Sequence, residues 1–163
     1  MKGLNENPED LQELREEGEE LLAELGVGDK PKEAEDHGPS VLILEDDEVS
    51  SFMLIKLVKK MGCRVKSFAS PLKALEEARN FKVALLFLDM KLPEMNGLEF
   101  LTKLRDIQKN PDIPVIVVTG YTQKHLVDKM VQHKVKGILA KPLDMERAIR
   151  FIHSYGGDAK VSQ

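Results

Sequence analysis

The sequence predicts an α/β domain, a parallel sheet wound on both faces by helices. Two observations predict it. Apolar strand-like runs and helix-patterned segments alternate five times between residues 41 and 153, and consecutive parallel strands need a crossover of about helical length. The runs VLIL at 41–44, VALLFL at 83–88 and IPVIVV at 113–118 lack polar alternation, which is the pattern of strands covered on both faces.

The elements follow in order. After the first strand, helical spacing runs over 48–61, with Met53, Leu54, Leu57, Val58 and Met61 on one stripe and Gly62 closing it. Residues 64–68 read as a second strand and 71–79 as a second helix with Pro71 in its first turn. The third strand is 83–88. Pro93 and Asn96-Gly97 mark a loop before a helix at 98–107. A fourth strand at 113–118, a helix at 123–132, a short strand at 137–140 and a helix at 143–153 complete the alternation. Expected boundaries are an acidic N-terminal helix and linker at 1–39, the folded domain at 40–156 and a short tail at 157–163.

Composition narrows the function. The 163 residues are 42% hydrophobic and 32% charged, ordinary for a globular chain with a real core. No apolar run approaches the roughly 20 residues of a membrane span, and MKGLNENPED is no secretory leader. No membrane partner is expected. A single cysteine, Cys63, excludes an internal disulfide framework and a cysteine-built zinc site, and favours a cytoplasmic setting. A net charge of −4 argues against nucleic acid.

That charge is unevenly spread. Residues 1–40 hold thirteen acids and four bases; the remainder holds 15 acids and 20 bases. Asn7-Pro8-Glu9-Asp10 reads as a helix start. Leu11, Leu14, Leu21 and Leu25 form a narrow seam interrupted by Gly18, the pattern of a helix that wants a partner. Residues 29–40, DKPKEAEDHGPS, read as a linker.

In open α/β sheets, ligands bind outside the carboxyl ends of the strands. Those ends carry Glu45, Asp46 and Asp47 after the first strand, Asp89 after the third, Thr119 after the fourth and Lys141-Pro142 after the fifth. Clustered carboxylates repel unless a cation joins them. Oxygen ligands without Cys or His favour Mg²⁺ or Mn²⁺. A metal, an ammonium and a hydroxyl around one carboxylate suit an incoming phosphoryl group. Asp47 opens the first helix and reads as its cap. His37, His125, His133 and His153 lie in the linker or on helices, so nothing points to histidine acid–base chemistry.

The motifs Leu44-Glu45-Asp46-Asp47-Glu48, LDMKLPEMNG at 88–97, Val118-Thr119-Gly120 and Ala140-Lys141-Pro142 resemble the receiver domain of two-component response regulators. The intervals from Asp46 to Asp89, on to Thr119 and on to Lys141 are 43, 30 and 22 residues and fit that family. The stand-alone receivers of the sporulation phosphorelay and of chemotaxis are the most similar in pattern. The resemblance implies a flavodoxin-like (βα)5 sheet of order 2-1-3-4-5. It implies phosphorylation on Asp89, Asp46 as direct Mg²⁺ ligand, Glu45 acting through water, the Lys91 carbonyl completing the metal site, and Thr119 and Lys141 on the phosphoryl group. It also implies a cis Lys141-Pro142 bond. The donor would be a histidine kinase or a histidine phosphotransfer protein. No enzymatic turnover is expected beyond self-phosphorylation from a phosphodonor and slow self-dephosphorylation.

Three positions depart from the usual pattern and read as modulators. Ile138 stands where the family usually has an aromatic that swings inward. Lys91, two residues after the acceptor, and Tyr121, two after Thr119, predict a shielded, long-lived phosphoryl group. Output is expected through protein contact with an unknown target. Phe52 and Ile55 are expected on the outer face of the first helix beside Lys56 and Lys59, as a docking site. The N-terminal seam would cover that site or pair two copies of the chain. The competing readings are a phosphorylation-independent adaptor or dimerisation protein, and a flavin protein on the same fold. The flavin reading is opposed by the acids at 45–48, which repel a phosphate.

Overall fold

The computed structural model describes residue 16, residues 39–120 and residues 124–156, the side chains of 124–126 excepted. The expectations for the N-terminal helix and its leucine seam, the linker, Tyr121 and the tail lie outside these residues.

The alternation is realised as β1 (Ser40–Leu44), α1 (Glu48–Lys60), β2 (Arg64–Phe68), α2 (Pro71–Glu77), β3 (Val83–Asp89), α3 (Gly97–Gln108), β4 (Val115–Thr119), α4 (Lys124–Gln132), β5 (Gly137–Ala140) and α5 (Met145–Tyr155). The five strands form one sheet of order β2-β1-β3-β4-β5, and every pairing is parallel. This is the doubly wound, flavodoxin-like arrangement, with its switch point between β1 and β3.

The apolar runs are apolar because successive side chains enter different cores. Val41, Ile43, Leu85, Phe87, Ile116 and Val118 face one core, where Leu54, Leu57 and Val58 of α1 and Ala148 and Ile152 of α5 cover them. Leu42, Leu44, Leu86, Leu88, Val115 and Val117 face the other, covered by Ala74 of α2, Phe100, Leu101 and Leu104 of α3 and Met130 of α4. β1 and β4 are buried throughout and β3 at all but Ala84, while β2 at the edge is half-buried along its whole length.

Helix starts are fixed by side chains. Asp47 accepts from the Ser50 N–H at 2.9 Å, Ser70 caps α2 with Pro71 in its first turn, Asn96 caps α3 and Asp144 caps α5. Each such cap is worth about 1 kcal/mol. Two expected boundaries shift for this kind of reason. The last helix begins at Met145 rather than residue 143 because Asp144 is its cap. The fourth strand begins at Val115 rather than residue 113, because Pro114 has no N–H for the ladder, although its carbonyl accepts from the Leu86 N–H at 2.9 Å.

Candidate functional site

Register brings the expected residues together. Leu44 lies beside Leu88, so Glu45 and Asp89 emerge from adjacent strands at the same level. Asp89 is beside Val118, and Thr119 beside Ala140. Lys141 is therefore one step beyond the sheet, and its N–H donates to the Thr119 carbonyl at 3.0 Å. The Lys141-Pro142 bond is cis.

Glu45, Asp89 and Thr119 are buried, whereas Asp46 is exposed. Carboxylate oxygens of Glu45, Asp46 and Asp89 all lie within 4.8 Å of one another. The Lys141 ammonium reaches across, 2.7 Å from Glu45 Oε1 and 3.5 Å from Asp89 Oδ2. The backbone N–H of Lys91 donates to Asp89 Oδ1 at 2.9 Å, fixing the carboxylate plane. Lys91 itself is exposed. Gly97 backs the site: a Cβ there would lie 3.1 Å from the Asp89 carbonyl oxygen and 3.1 Å from Met90 Sδ. The Asn96-Gly97 pair, readable from sequence only as a turn, thus also allows α3 to start close behind Asp89.

The electrostatics are those of acids held too close. Burial pushes Glu45 from 4.5 up to about 8, and its hydrogen bond with Asp89 adds to the rise while Lys141 opposes it. Asp46 is also raised, by burial and then by Asp89. Burial opposes the charge on Lys141, but the hydrogen bond and charge of Glu45, with Asp89 and Asp47, raise it on balance. Three carboxylate oxygens this close together, with Asp46 open to solvent, fit a hard divalent cation such as Mg²⁺.

Beside the acids is a cavity of about 260 Å³ whose wall includes Ser51, Phe52, Ile55 and Ser67. The Ser51 and Ser67 hydroxyls are 3.1 Å apart, joining α1 to β2. This corrects the expected placement of two residues of α1. Phe52 and Ile55 are half-buried, not on an open outer face, and Ile55 packs against the first core. The reason is that α1 lies against both β1 and β2, so the edge strand shelters the flank of the helix. Lys56 sits over the Phe52 ring at 5.6 Å, and Lys59 is exposed. Ile138 lies in β5 beside Val117, half-buried against the second core.

The parallel sheet thus gathers buried acids at its switch point, with a lysine reaching them from the end of β5. Residues 41–153 match the response regulator receiver domain. The polar-differentiation response regulator DivK of Brucella ovis is 35% identical over 120 residues, covering 74% of this chain and 98% of DivK; that of Brucella anthropi is 34% identical over the same length. The chemotaxis protein CheY4 of Vibrio cholerae has the same fold, with a TM-score of 0.66 and 21% identity over 72% of this chain and 98% of CheY4. So does the receiver domain of a sensor histidine kinase from Pseudomonas aeruginosa, described with a magnesium ion coordinated in its active-site cleft. Its TM-score is 0.63, at 21% identity over 72% of this chain and 97% of that one. The chain belongs to the response regulator receiver domain family of two-component signalling. Among the described residues no helix is long and apolar enough to cross a membrane.

Proposed function

We propose that this receiver accepts a phosphoryl group on Asp89 from a phosphohistidine of a histidine kinase or phosphotransfer protein, and signals by protein contact. The observation that carries the reading is the Lys141 ammonium held 3.5 Å from Asp89 Oδ2 inside a buried acid cluster. An Asp89 oxygen attacks phosphorus. The phosphorus–nitrogen bond of the donor breaks, its electron pair returns to the imidazole, and an aspartyl phosphate forms. Lys141 balances the added negative charge, and the Thr119 hydroxyl donates to a phosphoryl oxygen. Glu45, Asp46, Asp89 and the Lys91 carbonyl would hold Mg²⁺, which supplies charge neutralisation to carboxylate and phosphoryl oxygens alike.

No turnover of a separate substrate is part of this reading. The exposed Lys91 ammonium, two residues from the acceptor, caps the phosphoryl group and slows its hydrolysis. The intact set of Glu45, Asp46, Asp89, Thr119 and Lys141 speaks against a receiver-like adaptor that works unphosphorylated, since such an adaptor need not keep it. The test is incubation of the full chain with Mg²⁺ and a small acyl phosphate, followed by intact mass. One phosphoryl adduct is expected. Its persistence in Asp89→Asn would refute the assignment.

A further inference from the structure

Away from the acid cluster, the sheet carries a second feature that the phosphorylation site does not use. A groove of about 630 Å³ runs along the edge strand β2, between it and the segment joining α2 to β3. Arg64, Lys66, Arg79 and Lys82 line it, with the rings of Phe68 and Phe81; among the described residues Glu77 is the only carboxylate lining it. Lys66 stands over the Phe81 ring at 5.6 Å.

The groove is built rather than incidental. Gln108, at the end of α3, donates through Nε2 to the carbonyls of Ala78 and Phe81 at 2.6 and 2.7 Å and accepts from the Val83 N–H at 2.9 Å. Those three bonds fix the segment that carries Arg79 and Lys82. Arg64, Lys66 and Phe68 alternate along β2 and so share one face. Helices run back from the carboxyl edge, so the ends of α2 and α3 and the starts of β2 and β3 put the groove toward the opposite end of the sheet from Asp89.

The chain itself supplies an occupant. Residues 1–40 hold thirteen acids against four bases. They join the domain at this same end: Ser40 is the register partner of Arg64, and its N–H donates to the Lys82 carbonyl at 2.9 Å. Glu33, Glu35 and Asp36 precede Ser40 by seven residues or fewer, a reach of at most about 25 Å in an extended chain. We propose that the acidic segment upstream of Ser40 docks within its own chain in this basic β2-edge groove, and so leaves the Asp89 site open.

Zero-length carbodiimide cross-linking of the full chain tests this, using an equal mixture of ¹⁴N- and ¹⁵N-labelled protein and mapping the products by mass spectrometry. The expected products join Glu33, Glu35 or Asp36 to Lys66 or Lys82 with no mixed-label pairs. Their yield falls several-fold in 1 M salt, where the screening length drops from about 10 Å at 0.1 M to about 3 Å. Arg79→Glu, at an exposed position that leaves both lysines in place, lowers the yield several-fold too; an unchanged yield would mean that tethering alone explains the proximity. Products at Lys56 or Lys59, mixed-label pairs, or no product from the segment each overturn the proposal. The first would put the segment on α1, the second between two copies.

Discussion

The acid cluster at the carboxyl edge and the basic groove along β2 hold opposite charges in opposite surroundings. At the carboxyl edge, Glu45 and Asp89 are 3% and 5% exposed, and the sheet register leaves them no room to part. At the groove, Arg79 and Lys82 are exposed and Arg64 and Lys66 half-exposed. Confined charges must be compensated by specific partners at contact distance, which makes them reactive and individually indispensable. Solvated charges are screened, individually replaceable and strong only as a set. The same chain thus carries a confined acid cluster and a solvated basic groove.

The difference is sharpest at Asp89. Asp89→Asn should abolish the phosphoryl adduct, read by intact mass after acyl phosphate and Mg²⁺. At the same edge, Thr119→Ala and Lys141→Ala should each slow adduct formation by roughly 100-fold or more, the cost of losing one preorganised group facing a charged transition state. Time courses at fixed donor concentration measure this, and rates within a few-fold of the parent chain would show that the two groups do not face the phosphoryl oxygens.

A pH series in chelator tests the confinement directly. Burial raises Glu45 to about 8, so the folded form keeps a proton that the unfolded chain releases above its ordinary value of 4.5. The stability from this group is complete below about pH 4.5 and is lost as pH climbs through about 8. The raised Lys141 value acts only at higher pH, beyond this window. The thermal midpoint should therefore decline across the window, and Glu45→Gln should flatten the decline. A parent midpoint that rises between those limits would contradict a strained Glu45. The smallest effect belongs to the groove: Arg79→Glu should change unfolding free energy by no more than about 0.5 kcal/mol in urea titrations, as exposed substitutions do. A loss of several kcal/mol would mean that this charge is as confined as the acids.

Much of this was legible beforehand. The strands are unbroken apolar runs because both faces of the sheet are covered, and that needs no tertiary knowledge to read. Asp89, Thr119 and Lys141 follow such runs directly, so their convergence at one edge follows from parallel pairing alone. Asp47 was readable as a cap for the same local reason, and the structure has it accepting from Ser50. Phe52 and Ile55 were not readable as half-buried. Helical periodicity ranks the faces of α1, but how far the neighbouring edge strand wraps the flank depends on a contact between elements. The β2 groove was likewise invisible: Arg64, Lys66, Arg79 and Lys82 look like scattered surface charge until Gln108 draws the α2–β3 segment against the edge strand.

The sequence by itself determined the order of elements, the two-faced burial of the sheet and the kinds of side chain at its carboxyl edge, because period and hydrophobicity are properties of neighbouring residues. Only the tertiary structure decided that Lys141 pairs more closely with Glu45 than with Asp89, that Asp46 alone of the three acids meets solvent, and that basic residues from β2 and the α2–β3 segment share one groove. Those outcomes depend on distances across strands and between layers, which are set by packing and not by any local pattern of residues.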